Sequence, residues 1–238
     1  DLHSDTHSFP TRRSSDPKNK GVVHLVITTM IVLFFVGLLQ SLFVPMLLNL
    51  ESVKTVGISQ SLCASGMIIG SLFIGIFGSR SGHVTMLSIA LFLSGLFFAG
   101  LGFSANIILI TLTGFLFFAM LPFINTPIEV LIRTNIDNQK QGRVWSIIST
   151  TTYVGSILAF AVAGFLADYI FNPLLDTEGL FADSIGSLIG TGAGRGIALM
   201  FIASGLMISV ISLFIWKNSR IKGLEDVEKQ NNVTPLQL

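Results

Sequence analysis

Six long apolar blocks, separated by short gaps that carry nearly all of the charged residues, constrain this chain more than any other feature of its sequence. A helix that crosses a membrane needs roughly 17 to 25 mostly apolar residues, and each block meets this length. The strands of a membrane barrel have about 9 to 11 residues of alternating hydrophobicity, a pattern that the blocks lack. The sequence therefore predicts an all-α membrane protein with six transmembrane helices. The predicted spans are residues 22–48, 57–77, 84–102, 107–132, 144–170 and 196–216.

The charge content of the chain indicates that its surroundings are a bilayer rather than water. Only 11% of its 238 residues are charged, whereas a soluble domain has about 25%. The formal net charge is +1, and no basic patch exists outside the gaps that flank the spans. We therefore predict the lipid bilayer as a partner and exclude nucleic acid.

The first sixteen residues, DLHSDTHSFPTRRSSD, differ from the rest of the chain because they lack any apolar periodicity. A segment of this kind cannot build a hydrophobic core. It also resembles the translated read of a sequencing-library adapter. We expect residues 1–17 to be a non-native or disordered leader, with a genuine hydrophilic linker as the alternative. If the leader is non-native, the chain is a fragment of a longer protein.

The distribution of Lys and Arg between the gaps predicts the orientation of the spans. Six spans place both termini on one side of the membrane, and from residue 18 onward ten basic residues lie on that side and two on the other. Short loops rich in Lys and Arg stay in the cytoplasm. Both termini are therefore predicted to be cytoplasmic. The ten residues are Lys18, Lys20, Arg80, Arg133, Lys140, Arg143, Lys217, Arg220, Lys222 and Lys229, and the two are Lys54 and Arg195.

An internal repeat is suggested by two similar segments in the second and fifth spans. IIGSLFIG around Gly70 and YVGSILAF around Gly155 share a Gly-Ser-aliphatic core. If spans one to three and four to six are copies of one unit, the odd number of helices forces the two copies into opposite membrane orientations. The alternative is chance, because small residues recur wherever membrane helices pack closely.

Three further segments carry a resemblance to a known family: NTPIEVLIRTNIDNQKQGRVWS, AGFLADYIFNPLL and IGSLIGTGAGRGIALMF. Together they resemble the C-terminal half of a major facilitator superfamily transporter of the macrolide-efflux-like branch, over about residues 18–216. The resemblance implies two inverted three-helix repeats, a missing N-terminal six-span half, and residues 217–238 as a cytoplasmic tail. It also implies proton-coupled efflux of small lipophilic drugs such as macrolides across a bacterial cytoplasmic membrane. The alternative is a complete six-span channel, scaffold or assembly protein.

One inner loop, GIFGSRSGH over residues 75–83, is similar to the superfamily motif G-x-x-x-D-R-x-G-R. It departs from the motif at Ser79, where the family has Asp, and at His83, where it has a basic residue. The missing Asp puts the family's latch role in doubt for this loop. Arg80 remains as a gate candidate, and the simpler interpretation is a tight cytoplasmic turn.

The substrate cavity of the superfamily is lined by the first and fourth helices of each half. Pro122 and Pro127 of the fourth span each lack a backbone donor and free a carbonyl group, which predicts a broken helix there. A broken helix of this kind is a site where transporters coordinate substrate. The resemblance nominates the polar residues Gln40, Asn125 and Thr126, with Phe117, Phe118 and Met120 as an adaptable apolar wall.

Two carboxylates lie inside the predicted spans, where each charge requires a partner or a role. Glu129 precedes Arg133 by one helical turn, so the pair is either a simple surface pair near the cytoplasmic boundary or a cytoplasmic gate. Asp168 is either an interfacial carboxylate or, because GFLAD is similar to the family's G-x-L-A-D segment, an outer-gate residue. Neither carboxylate lies near the membrane midplane, so the coupling residues are expected in the missing half.

Other activities find little support. GTGAGRG, residues 190–196, follows no strand and lacks the Lys-Ser or Lys-Thr of a phosphate loop. PIEVLIR resembles a mitochondrial-carrier signature, but the base comes one residue late and the motif occurs once. The four histidines offer neither metal-ligand spacing nor a nucleophile with its base. We therefore predict no enzyme activity, no metal and no cofactor.

Overall fold

A computed structural model describes residues 17–78, 82–136, 141–175, 179, 185–192 and 194–225 of the chain. All regular elements in these ranges are helical. They include α1 (Pro17–Leu48), α2 (Val53–Phe77), α3 (His83–Gly100), α4 (Ile107–Thr134), α5 (Gln141–Phe165), a π-helix (Leu166–Phe171), α6 (Asn172–Leu174), α7 (Gly186–Ile189) and α8 (Arg195–Lys217).

Six of these helices are long and apolar enough to cross a membrane, which confirms the predicted all-α, six-span class. The chain is therefore a multi-pass membrane protein by the length and composition of its helices. The spans are Gly21–Leu48, Val53–Ile76, His83–Gly100, Ile107–Thr134, Val144–Leu174 and Arg195–Lys217.

The starts of two spans, α2 and α4, are capped by polar side chains. The side chain of Asn106 accepts a hydrogen bond from the Ile108 amide at 2.9 Å at the start of α4. The Ser52 hydroxyl accepts one from the Thr55 amide at 3.4 Å at the start of α2. Asn and Ser satisfy the free amides of a helix start in this way. The connections that precede α2 and α4 are consequently short, over residues 49–52 and 101–106.

The spans pack in pairs: α1 against α5, α2 against α4, and α3 against both α8 and α4. Glycines bring the backbones together. A Cβ atom at Gly70 of α2 would collide with the Ala119 carbonyl of α4, and one at Gly155 of α5 would collide with the Met30 carbonyl of α1. Small residues allow this close approach between membrane helices.

The centre of the bundle is aromatic. Phe98 of α3 lies edge to face with Phe117 of α4 at 5.1 Å and with Phe201 of α8 at 5.4 Å between ring centroids. Such edge-to-face contacts contribute about 0.5–1.5 kcal/mol beyond area burial. These rings join α3, α4 and α8 into one body.

The expected break in α4 is wrong. The helix runs without interruption from Ile107 to Thr134, with Pro122 and Pro127 inside it. A proline removes one backbone hydrogen bond, but neighbouring helices can hold the rest of the helix in place. Here Gly66 and Gly70 of α2 lie directly against the backbone of α4, over the two turns before Pro122.

The fifth span is longer than predicted and changes its winding. The helix is a π-helix from Leu166 to Phe171. The span then ends at Leu174, beyond the predicted end at residue 170. The wider turns of a π-helix often occur at functional sites, and Asp168 lies in this one.

The first part of the predicted tail returns to the bundle. Residues 219–225 are helical, and Ile221 and Leu224 are each only 1% exposed. Asn135, at the end of α4, donates its side-chain amide to the Leu224 carbonyl at 3.1 Å. We call this end of the molecule, where α1 begins and α8 ends, the basic end, because Lys217 and its neighbours are exposed there.

Both tryptophans also lie at the basic end. Trp145 is the second residue of the fifth span, and Trp216 is the last but one of the sixth. Tryptophan concentrates at membrane–water interfaces. The basic end therefore sits at the level of a bilayer surface.

Candidate functional site

The most unusual surface of the bundle is a line of three polar side chains on α4. Asn125, Glu129 and Arg133 are spaced four residues apart, so they lie on one face of the helix, and all three are exposed. Thr126 lies beside them and is half-buried. We call Asn125, Glu129 and Arg133 the polar stripe.

The depth of the polar stripe is what makes it unusual. Asn125 precedes the end of α4 by nine residues, or about 13 Å of helix rise, which is too far for its short side chain to reach the bilayer surface. An amide placed among acyl chains without a hydrogen bond costs roughly 2 to 7 kcal/mol. Within the ranges that the structure describes, Asn125 has no side-chain hydrogen bond. Its exposed position therefore suits water or another protein surface better than lipid.

Glu129 and Arg133 lie closer to the basic end. Glu129 is five residues, or about 7.5 Å, from the end of the helix. Although the two side chains share a face, no ion pair within 4.0 Å joins them among the described residues. The Arg133 carbonyl accepts a hydrogen bond from the Gln141 side chain at 3.4 Å. The surface pair and the gate both stay predictions, with the two side chains apart in this conformation.

The other predicted polar cavity residue, Gln40, is also exposed at membrane depth. It lies eight residues, or about 12 Å, before the end of α1 at Leu48. Gln40 has no side-chain partner among the residues described here. Like Asn125 on α4, Gln40 is therefore a polar side chain that suits water or another protein surface better than lipid.

The predicted apolar wall divides into core and surface. Phe117 is only 2% exposed and lies between Phe98 and Phe118, so in this conformation it holds α4 to α3. Phe118 and Met120 are half-buried and still reach the surface. These two are the residues of the wall that a ligand outside the bundle could touch.

Asp168 lies toward the opposite end of the bundle from Glu129. It is exposed and accepts a hydrogen bond from the Asn172 side-chain amide at 3.3 Å. The other side-chain atom of Asn172, Oδ1, is buried against Gly196 and has no hydrogen-bond partner. Asp168 thus orients a residue that contacts the start of α8, and both interpretations of its role remain predictions.

The remaining gate candidate, Arg80, lies outside the described residues. Gly78, which ends α2 before it, has a φ of 61°. Glycine adopts this left-handed conformation without steric cost, as a tight turn requires.

The described part of the chain has neither a cluster of metal ligands nor an exposed thiol. No three His, Cys, Asp or Glu side chains there are grouped closely enough to hold a metal ion. Cys63 is fully buried, contacts Gly114, and donates to the Thr111 carbonyl at 3.5 Å. Cys63 therefore acts as a packing residue between α2 and α4.

Comparison with known proteins adds no relative: no family model matches the chain, and no curated protein or solved structure is significantly similar to it. The resemblance of its segments to the major facilitator superfamily therefore stays a prediction.

Sequence reasoning missed the docked segment at the basic end. Its signal was present, since Ile221 and Leu224 are an apolar pair three residues apart in an otherwise charged stretch. Such a pair lies on one side of a helical turn. The tail was long enough to fold back, but nothing in the sequence identified Asn135 as the residue it would meet.

Proposed function

We propose that the chain is the C-terminal half of a secondary active transporter of the major facilitator superfamily, in the macrolide-efflux-like branch. The observation that carries the proposal is the exposed polar stripe at membrane depth. Polar side chains at that depth face water-filled cavities or other protein rather than acyl chains. A second six-span half would cover the stripe and enclose a cavity beside it.

The helix packing supports two inverted repeats. Exchanging α1, α2 and α3 with α4, α5 and α8 turns the α1–α5 pair into the α4–α2 pair and leaves the α3–α8 pair unchanged. All of these pairs are present. The contact between α3 and α4 is more extensive than its counterpart between α8 and α1, so the symmetry is approximate.

The two glycines of the suggested repeat support the same arrangement. Gly70 and Gly155, which align in the sequence, each lie against a main-chain carbonyl of the helix paired with their own. Those carbonyls belong to Ala119 of α4 and Met30 of α1, helices that the exchange also relates. Close packing alone explains why each glycine meets a backbone, whereas a repeat also explains why the two partner helices are equivalent.

In this proposal the substrate binds between the two halves. Gln40, Asn125 and Thr126 supply hydrogen bonds, while Phe118 and Met120 supply an adaptable apolar surface for a lipophilic drug. The halves rock about this site, as in other transporters built from repeats.

The two ends of the cavity are closed by different residues. Glu129 and Arg133 pair when the basic end closes and separate when it opens. Asp168 contributes to closure at the opposite end. The proton-coupling carboxylates belong to the other half, because the described spans carry acidic residues only near their ends.

The test is drug accumulation in cells that express the gene with its upstream sequence recovered. We expect six further spans upstream and, in an efflux-deficient bacterium, lower accumulation of radiolabelled erythromycin than in cells with an empty vector. A protonophore should restore accumulation, since export is proposed to be proton-coupled. An open reading frame that starts just before Lys18, or unchanged accumulation, would contradict the proposal and favour a six-span channel or scaffold.

A further inference from the structure

A groove of about 370 Å³ runs along the outside of the bundle between α3 and α8. Its walls include Ile89 and Phe92 from α3 and Leu213 and Trp216 from α8. These four side chains are between 37% and 56% exposed, so each reaches the surface of the described bundle. The volume lies within the usual range of small-ligand sites, about 300–1,000 Å³.

Small residues on the same two helices explain why the groove is narrow. A Cβ atom at Gly95 would collide with Ser209, and the Ser212 hydroxyl donates to the Ser88 carbonyl at 2.8 Å. This close backbone contact forms the floor of the groove, and the larger side chains stand on either side. The width of the groove is therefore set by the close packing of α3 and α8.

The groove opens at the basic end. Thr85, in the first turn of α3, and Trp216, next to the last residue of α8, line this end of it. An interfacial tryptophan marks the level at which lipid headgroups lie. The long axis of the groove thus starts at headgroup depth and extends toward the acyl chains.

One exposed cation, Lys217, stands where the groove opens, and two more follow it in the chain. Lys217 follows Trp216 directly and lies one turn beyond Leu213, and Arg220 and Lys222 follow within five residues. The Asn218 side chain accepts a hydrogen bond from the Arg220 amide at 3.0 Å, which fixes the turn that carries them. Lys217 therefore favours a negative charge on the α8 side of the opening, whereas the Glu225 carboxylate lies against Gly82 on the α3 side.

We propose that this groove binds an anionic phospholipid of the leaflet at the basic end. One acyl chain lies along Ile89, Phe92 and Leu213, and the phosphate lies beside Lys217 and Arg220. An apolar groove that begins at headgroup depth and opens beside a cation requires one ligand with both parts, and an anionic phospholipid has them in that order. The proposal does not depend on transport activity.

The two tryptophans provide a direct test, because only Trp216 lines the groove. The full chain is reconstituted in vesicles of phosphatidylcholine that contain a small fraction of brominated phosphatidylglycerol or brominated phosphatidylcholine, which quench indole fluorescence on contact. The Trp145→Phe variant reports on Trp216, and the Trp216→Phe variant reports on Trp145 as the matched control at the same end of the bundle.

We expect Trp216 to prefer brominated phosphatidylglycerol by about 30-fold in relative association constant, since each of two interfacial cations contributes roughly fivefold. Lys217→Gln should reduce this preference about fivefold, and Lys217→Gln with Arg220→Gln should abolish it. Arg133→Gln, which removes an exposed cation of α4 instead, should leave it within about twofold. Ile89→Phe, which narrows the groove without adding an indole, should lower the quenching of Trp216 by both lipids.

Equal quenching of Trp216 by the two brominated lipids would overturn the proposal. So would an equal preference at Trp145, which would indicate a general attraction of the basic end for anionic lipid. Except for Trp145, which is partly buried against the core, these variants change exposed side chains, and circular dichroism in the same vesicles checks that each remains helical.

Discussion

Glu129 and Arg133 lie one turn apart on the exposed face of α4, and their roles depend on whether they pair in one conformation only. Sequence reasoning identified both residues, because a carboxylate in an apolar span requires a partner or a role. It could not predict that they would be apart in this structure, since the rotamers of exposed side chains depend on what lies outside the bundle. Phe117 illustrates the opposite case. An apolar residue has the same signal in a core as in a cavity wall, and here it is in the core.

A double-mutant cycle separates a gate from a surface pair. An exposed pair one turn apart contributes only about 0.2–0.5 kcal/mol, so Glu129→Gln should then leave transport nearly unchanged. A pair that forms in one state only shifts the conformational equilibrium, and about 1.4 kcal/mol changes the populations tenfold. We expect Glu129→Gln and Arg133→Gln each to reduce erythromycin efflux by the full-length protein at normal membrane expression.

The combined variant should be less impaired than the two losses added together, because the second substitution removes a partner that is already lost. Strict additivity of the two losses would indicate that Glu129 and Arg133 form only a simple surface pair.

Helix length and type follow from the sequence, whereas helix pairing does not. Each span is recognisable because about 20 consecutive apolar residues have few other folds available. The pairing depends on where glycines meet a neighbouring backbone, and a glycine that packs looks the same in the sequence as one that does not. The wrong prediction of a break in α4 has a similar cause, since the support of α4 by α2 at Gly66 and Gly70 is a tertiary contact. The π-helix at Asp168 has no side-chain signature that could have predicted it.

Glycine substitutions test the pairing of the helices. Gly70→Val and Gly155→Val place side chains against the Ala119 and Met30 carbonyls, so the helices must separate at a cost of about 1–3 kcal/mol. We expect the Tm of the purified protein to fall by roughly 5 °C. A thiol-reactive fluorescent dye can follow unfolding, because Cys63 is the single cysteine and is buried.

Two glycines of the same helices are the matched controls. A Cβ atom at Gly75 of α2 or at Gly164 of α5 meets nothing within 4 Å. Gly75→Val and Gly164→Val should change the Tm by less than about 2 °C, since Val and Gly differ by only a few tenths of a kcal/mol in helix propensity. A loss at Gly75 as large as that at Gly70 would refute the proposed packing contact.

At the scale of the whole molecule, the orientation rests on the distribution of cations. The helical pairing joins the ends of α4 and α8 and the starts of α1 and α3 at the basic end, where Leu224 contacts Asn135. By the positive-inside rule we predict that this end is cytoplasmic. Which surface of the bundle would meet the proposed other half does not follow from the sequence alone, because lipid-facing and protein-facing apolar residues look alike.

Labelling of single cysteines tests the orientation. In a Cys63→Ser background, Ser184→Cys lies in the predicted outer loop and Asn138→Cys in a predicted cytoplasmic loop. An impermeant maleimide applied to intact cells should label only position 184, and both positions should be labelled after the membrane is permeabilised. Labelling of position 138 in intact cells would reverse the orientation of all six spans.

The central claim, that the polar stripe lines a water-filled substrate cavity, is tested most directly by the reactivity of a cysteine at Asn125. In the full-length protein with Cys63→Ser, Asn125→Cys should react with a small hydrophilic thiosulfonate reagent, because thiols ionise and react in water but not among acyl chains. The matched control is Leu206→Cys, which replaces a half-exposed apolar residue in the middle of α8 and should stay unreactive. Erythromycin should slow the reaction at position 125 by occupying the cavity. If position 125 is as unreactive as position 206, or reacts at the same rate with and without erythromycin, the polar stripe is not part of a substrate pathway.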